Sequence, residues 1–285
     1  MRTDLLHPEL SGNKWYKLKY NLQAARTSGF STLLSFGGAW SNHLHALAAA
    51  GRLFGFATIG VVRGDSETPL NPCLQDAVAN GMRLVFVDRA SYRRQQEPAF
   101  IDSLRRQYGH FYLIPEGGAN LAGMQGCAEI PAGIRGAYDH IALACGTGTT
   151  LAGLVGSAWW LTEEWSVKAL TPPRILGFQA LKGRGYLSAE IQRLLRNSGM
   201  KGHCRWSVNE DYHFGGYART KPELLAFIEA FERDTGIPLE PVYSGKVLYG
   251  LQDLIKRDFF PRNSRILFVH GGGLQGRRGF RGRND

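Results

Sequence analysis

"STLLSFGGAWSNHLHALAAAGRLFGFATIGVV", residues 31–62, is the stretch on which the fold reading turns. An apolar run at 31–36 stops at the pair Gly37-Gly38. Helical periodicity then covers 42–54, with Ser41 placed to cap it, and a second apolar run follows at 56–62. Short apolar runs with no polar alternation are strands buried on both faces, and a helix between two of them is the crossover of a parallel pair. The same rhythm continues downstream. "NPCLQDAVANG", 71–81, is punctuated as a helix by Asn71 at the cap, Pro72 in the first turn and Gly81 past the end. "RLVFVD" (83–88) predicts a strand, 97–108 a helix, and "FYLIP" (111–115) another strand. Upstream, Trp15, Leu18, Leu22 and Ala25 share one helix face in "SGNKWYKLKYNL", with Ser11 or Asn13 available as the cap and Ser28-Gly29 as the end.

A second series starts near residue 140. "HIALAC" (140–145) predicts a strand, "GTGTT" a turn and "LAGLVGSAWWL" (151–161) a helix. "RILGFQA" (174–180) predicts a strand, 221–236 an amphipathic helix, and "RILFVHGGG" (265–273) a final buried strand ending in glycines. No internal repeat or long linker separates the series. The expected fold class is α/β: two α/β units with mainly parallel sheets, facing each other across a cleft at the carboxyl ends of their strands.

Composition narrows the function. The chain has 285 residues, of which 44% are hydrophobic and 20% charged, an ordinary globular balance. No apolar run approaches the ~20 residues that span a bilayer, and "MRTDLLHPEL" has no signal-peptide pattern, so a cytoplasmic protein without membrane partners is expected. Cys73, Cys127, Cys145 and Cys204 are scattered, with no metal-ligand spacing; reduced thiols and no metal are expected. The net charge of +10 would allow a non-enzymatic basic binding protein. Yet the arginines are dispersed, no nucleic-acid motif is present, and the one dense cluster, "GRRGFRGRND" (276–285), reads as a mobile tail. Attraction of a small anionic substrate is another use for such charge.

Four predicted strands end in glycine-rich turns: "GGAWSNH" (37–43), "PEGGAN" (115–120), "CGTGTT" (145–150) and "HGGG" (270–273). Glycine lets backbone approach a ligand closely, and amides at a helix start attract anions. In "GTGTT" the hydroxyls of Thr147, Thr149 and Thr150 add donors suited to a phosphate. A dinucleotide site would want G-x-G-x-x-G and an acid ending the next strand, but the turn reads G-T-G-T-T-L and that strand ends "GFQA". No GK[ST] P-loop is present. Lys14, in the first turn of its helix, opposes the helix dipole, and taken alone it reads as a solvated lysine. A phosphate-bearing aldehyde cofactor would need such a lysine for a Schiff base and a phosphate cradle elsewhere.

Taken in order, "GNKWYKLKYN", "SFGGAWSNHLHALAAAG", "PEGG", "ACGTGTTLAGL", "PVYSGK" and "HGGG" resemble the D-cysteine desulfhydrase and 1-aminocyclopropane-1-carboxylate deaminase family. Those are pyridoxal-phosphate enzymes of the tryptophan synthase β-subunit fold (fold type II), and the resemblance runs from about Leu5 to Gly273. It implies pyridoxal 5'-phosphate as cofactor, a homodimer, a small domain over 17–125 and a large cofactor-binding domain over 1–16 and 126–285. It implies Lys14 as the cofactor-bearing lysine and Asn42 as the partner of the pyridoxal 3-oxygen. Gly146, Thr147, Gly148, Thr149 and Thr150 would form the phosphate loop. Ser41, with the amides of Asn42 and His43, would hold the substrate carboxylate, Ser41 being also a candidate nucleophile. Tyr243 and Tyr212 would be active-site tyrosines. The chain departs from the family at Trp40, where glutamine is common and the pocket would be narrower or more apolar, and at Gly271, where threonine is common. Relatives also usually begin earlier, so a short N-terminal element is expected to be missing.

The position after Tyr243 discriminates within the family. Deaminases usually carry glutamate there, against the pyridine nitrogen, whereas desulfhydrases carry serine or threonine. Ser244 supplies no negative charge. The expected reaction is therefore β-elimination from a small D-amino acid, D-cysteine giving pyruvate, sulfide and ammonia. Ring opening of the cyclopropane substrate to 2-oxobutanoate and ammonia is the alternative.

Overall fold

The structure, a computed structural model, describes residues 1–65, 69–166 and 171–280. After a helix, α1 (Asn13–Thr27), the chain builds a first sheet from β1 (Thr32–Gly38), β2 (Ala57–Arg63), β3 (Met82–Val87) and β4 (Tyr112–Leu113). The connections carry α2 (Asn42–Phe54), α3 (Pro72–Ala79), α4 (Arg89–Arg93) and α5 (Pro98–Tyr108). All pairings are parallel, in the order β3-β2-β1-β4. β1 is buried on both faces because successive side chains enter different cores. Leu33 joins Leu22, Leu47 and Leu74 under α1–α3, while Leu34 joins Ile101 and Leu104 under α5.

A linking helix, α6 (Leu121–Cys127), leads to a second sheet of β5 (His140–Cys145), β6 (Arg174–Gln179), β7 (Trp206–Asn209) and β8 (Ile266–Val269). Around it lie α7 (Thr149–Val155), α8 (Glu163–Ser166), α9 (Tyr186–Ser198), α10 (Pro222–Thr235) and α11 (Ser244–Lys256). This sheet is also parallel, in the order β7-β6-β5-β8. One face packs on α6, α7 and α9 through Cys127, Leu151 and Ile191, the other on α11 through Val247 and Leu251. The chain start lies against this sheet: the Met1 ammonium donates to the Phe268 carbonyl at 2.7 Å, and Arg2 bridges His270.

The two α/β units expected from the sequence are present. Several details differ. α1 is entered from Gly12 at φ +66°, with no side-chain cap from Ser11 or Asn13. The helix expected over 151–161 ends at Val155, and Ala158–Leu161 forms a separate 3-10 turn. "PVYSGK" is a turn over 241–243 that runs straight into α11. The basic C-terminus is not mobile as a whole: Leu274–Gly279 is a 3-10 segment whose Arg277 and Arg278 pair with Glu232 and Asp76, while residues 281–285 lie outside the described residues. No described helix is long and apolar enough to cross a membrane.

Candidate active site between two switch points

Each sheet reverses its strand order once. In the first, the chain passes from β1 to β2 and β3, and β4 then returns to the free side of β1. In the second, β8 returns to the free side of β5 in the same way. Ligands in open parallel sheets bind beyond the carboxyl ends of the strands that flank such a reversal. The four glycine-rich turns are the segments after β1, β4, β5 and β8, so both reversals are lined by glycine. Together they enclose a cavity of about 640 Å³.

Lys14 opens into this cavity from the first turn of α1. Its Nζ donates to Asn13 Oδ1 at 3.0 Å, and Asn13 Nδ2 donates to Thr150 Oγ1 at 2.9 Å, which ties the start of α1 to the "GTGTT" turn. The approach is close: a Cβ on Gly12 would lie 1.9 Å from the Gly271 carbonyl oxygen. Burial, and then repulsion from Lys17, push the Lys14 ammonium down to about 7. Near neutral pH this amine is thus substantially unprotonated, the form that adds to an aldehyde or accepts a proton.

Gly146, Thr147, Gly148 and Thr150 line the opposite wall. Gly148 holds φ +76° at the entry to α7, and a Cβ there would meet Ile191 at 2.7 Å. The first amides beyond it have no intrahelical acceptor. Thr149 is buried beneath the turn, its hydroxyl 2.9 Å from that of Thr147, and is not on the cavity wall. A residue that the sequence reading overlooked completes this wall. Lys17, one turn after Lys14, is buried and donates to Thr147 Oγ1 at 3.2 Å and the Gly117 carbonyl at 3.1 Å. The i,i+3 spacing in "NKWYK" was the available signal, since it puts both lysines on one helix face.

From the first sheet, Ser41 caps α2 by accepting from the Leu44 amide at 3.2 Å. Ser41, Asn42 and His43 all line the cavity. His43 Nε2 lies 3.0 Å from Ser35 Oγ, while its Nδ1 is buried with no partner among the described residues. Burial, with Lys14 and Lys17 nearby, holds His43 well below its usual range, so the ring is neutral.

From α11, Tyr243 and Ser244 reach the same space. Behind them stands Glu240, also overlooked, buried at 1% exposure. One of its oxygens accepts from the Val242 amide at 2.7 Å and the other from the amides of Tyr243 and Ser244 at 2.7 and 2.6 Å. Burial raises the Glu240 carboxyl, and these donors pull the other way. The Ser244 hydroxyl accepts from the Glu240 amide at 2.8 Å and lies 3.2 Å from its carboxylate.

Two expected site residues stand elsewhere. Tyr212 is not on the cavity wall; its hydroxyl donates to Asp253 of α11 at 2.6 Å, and its ring packs against Gly250. The aromatic that enters from the same glycine-rich loop is Tyr217, whose ring crosses that of Tyr243 at 6.3 Å. Trp40 lines an adjoining cleft with Arg63 and Asp88, backed by Gly279, and does not narrow the main cavity. The two spaces meet at Gly38, Arg63 and Tyr217. Among the described residues no group of side chains is arranged to hold a metal ion.

A half-buried lysine of lowered basicity, a glycine-and-threonine cradle backed by a second lysine, and an unpartnered imidazole nitrogen fit a cofactor with an aldehyde at one end and a phosphate at the other. Comparison with known proteins agrees. A putative 1-aminocyclopropane-1-carboxylate deaminase of Pyrococcus horikoshii is 29% identical, the match covering 96% of this chain and 84% of that protein. A bifunctional D-cysteine desulfhydrase/1-aminocyclopropane-1-carboxylate deaminase of Arabidopsis thaliana is 30% identical over 96% of this chain and 72% of its own. The crystal structure of an ACC deaminase homologue superposes with a TM-score of 0.80 at 29% identity, covering 96% of this chain and 84% of that one. Residues 2–272 match the family described as pyridoxal-phosphate dependent enzymes, and the chain belongs to that family.

Proposed function

We propose that this enzyme eliminates the β-substituent of a small D-amino acid, with D-cysteine giving pyruvate, sulfide and ammonia. The observation that carries the choice is Ser244. At the start of α11 the cavity is offered a neutral hydroxyl, and the nearby negative charge, on Glu240, is bound up in capping the helix. Pyridoxal phosphate, when bound, supplies an electron sink for the substrate's Cα. A neutral partner for its ring nitrogen leaves that sink weaker, which suffices when a good leaving group departs.

The chain's own residues fall into roles around that chemistry. Lys14 holds the cofactor aldehyde and, when released, accepts a proton from Cα at Nζ. Lys17, Thr147 and the amides from Gly146 to Thr150 bind phosphate, and Thr149 supports Thr147 from below. Asn42 meets the ring oxygen, and Ser41 with the Asn42 and His43 amides holds the substrate carboxylate. Tyr243 and Tyr217 shape the substrate side and screen it from water. Ring opening of 1-aminocyclopropane-1-carboxylate is the second reading, supported by the names of some relatives, while others are named D-cysteine desulfhydrase, and by Ser41, whose oxygen caps α2 at the cavity wall. The reading includes a small domain over 17–125, a large one over 1–16 and 126–285, and a cytoplasmic homodimer without nucleic-acid or membrane partners; sedimentation analysis tests the dimer. The reaction is tested by loading the protein with pyridoxal phosphate and measuring keto acid from both substrates. Faster 2-oxobutanoate release from the cyclopropane than pyruvate release from D-cysteine would reverse the choice.

A further inference from the structure

The C-terminal segment, read from sequence as a mobile basic tail from residue 276, links the layers of the two sheets. It leaves β8 through Gly273 at φ +83° and forms one 3-10 stretch, Leu274–Gly279. Arg277 grips Glu232 of α10 with both nitrogens, at 3.0 and 2.5 Å. The adjacent Arg278 grips both oxygens of Asp76 on α3, which His45 of α2 also meets at 3.1 Å. One arginine thus ties the strap to the second sheet's layer and the next to the first. Paired, forked arginine–carboxylate contacts fix orientation as well as distance.

What the strap fixes between these anchors is Gln275. Arg278 Nε donates to the Gln275 carbonyl at 3.2 Å, and Gln275 Nε2 donates to Asn42 Oδ1 at 2.8 Å. On the other side of the Asn42 amide, Nδ2 lies against Gly273, where a Cβ would come within 2.4 Å. An asparagine amide has one acceptor oxygen and a two-hydrogen donor. With Asn42 Oδ1 accepting from Gln275, the nitrogen is the group left to serve an acceptor in the cavity. The ring oxygen of pyridoxal phosphate is such an acceptor.

We propose that Gln275, carried by a strap that Arg277 and Arg278 anchor to both sheet layers, is a positioning residue that orients the Asn42 amide toward the cofactor. The inference rests on the reading above that Asn42 meets the ring oxygen. Gln275 touches no substrate and acts through Asn42. The geometry also predicts that size alone is insufficient. Glutamate at 275 is nearly isosteric, but it accepts where glutamine donates, so it would draw Nδ2 toward itself and present Oδ1 to the ring oxygen.

The test titrates apoprotein with pyridoxal phosphate, following the absorption band of the bound cofactor and its pH dependence, for wild type, Gln275→Ala, Gln275→Glu, Asn42→Ala and the double variant Asn42→Ala/Gln275→Ala. Loss of one oriented hydrogen bond is expected to weaken cofactor binding about fivefold in Gln275→Ala. Gln275→Glu should be at least as weak, and both should shift the band and its titration. The double variant should bind no more weakly than Asn42→Ala alone, because the two residues act on one contact. Wild-type binding with Gln275→Glu unchanged, or losses that multiply in the double variant, would overturn the inference and leave the cofactor reading standing. A wild-type chain that takes up no pyridoxal phosphate would overturn both. Melting curves of the apoproteins separate a folding defect from a positioning one: equal melting with altered bands supports positioning, and lowered melting with unaltered bands refutes it.

Discussion

At the scale of the residue, the proposed chemistry rests on how Lys14 is kept unprotonated. An ordinary lysine is neutral about once in three thousand molecules at pH 7. Burial and the charge of Lys17 bring Lys14 to about 7, where the fraction is near one half. Below that value the amine protonates and stops attacking aldehydes. Capture of pyridoxal by apoprotein should therefore rise with pH to a midpoint near 7. Pyridoxal lacks the phosphate, so it reports on Lys14 rather than on the cradle. Lys17→Met removes a like charge, which raises the Lys14 value and should move the midpoint to higher pH; a midpoint that stays or falls would show that Lys17 does not act on Lys14. In the same variant, retention of pyridoxal phosphate should fall. Glycine positions give a second contrast. Gly12→Ala would drive a Cβ to 1.9 Å from a carbonyl at φ +66°, and should destabilise apoprotein by ~2 kcal/mol or more in urea unfolding. At Gly271 the nearest atoms to an added Cβ are those of Asn13 at 3.9 Å, so Gly271→Thr should leave stability within ~0.5 kcal/mol. Lys14, Ser41 and Asn42 were legible because each sits in a motif or at a cap. Tyr217 was not, because tertiary contacts bring it to the site, and Glu240 was not, because it caps its helix from outside the usual position.

At the scale of the element, some boundaries were legible from the side chains that mark them, while the caps Asp88 of α4 and Asn120 of α6 passed unread. Ser41 and Asn71 do cap α2 and α3, and Pro222 opens α10. α9 begins from Gly185 in the left-handed region with no side-chain cap, so no marker preceded it. α11 hides its start differently, because the group that satisfies its first amides is Glu240, four residues before Ser244 and outside the usual capping position. β7 is a short edge strand with mixed exposure and lacks the apolar run that marked the others. The cap at α11 carries its own prediction. Glu240→Ala leaves three backbone donors without that acceptor, and should lower stability by ~2–4 kcal/mol in urea unfolding. Glu240→Gln keeps one oxygen in place and should cost less. Equal stability of Glu240→Ala and wild type would mean that other groups satisfy the helix start.

At the scale of the molecule, the two sheets share one strand order, and each of the four strands that flank its reversals is followed by a glycine-rich turn. β1, β4, β5 and β8 flank the reversals, and the turns after them read "GGAWSNH", "PEGGAN", "CGTGTT" and "HGGG". The alternation of strands and helices therefore announced parallel sheets, and the glycine turns marked the ligand-facing strands. Strand order itself was not legible, because no local pattern states which side of β1 receives β4. The same geometry makes a prediction about cooperativity. A cofactor held by Lys14 and the "GTGTT" turn on one side and by Asn42 on the other would be bound by both sheet layers at once. Its binding energy would then oppose separation of the layers as well as unfolding of either. A ligand present at a hundred times its dissociation constant stabilises the folded state by about 2.7 kcal/mol. Hydrogen exchange should show where that stabilisation lands. On addition of pyridoxal phosphate, amides in 37–43, 115–120, 145–150 and 270–273 should slow together, while those of the edge strands β3 and β7 change little beyond the global shift. Slowing confined to 145–150 and 270–273 would place the cofactor on the second sheet alone, and Asn42 with its supporting strap would then have no part in holding it.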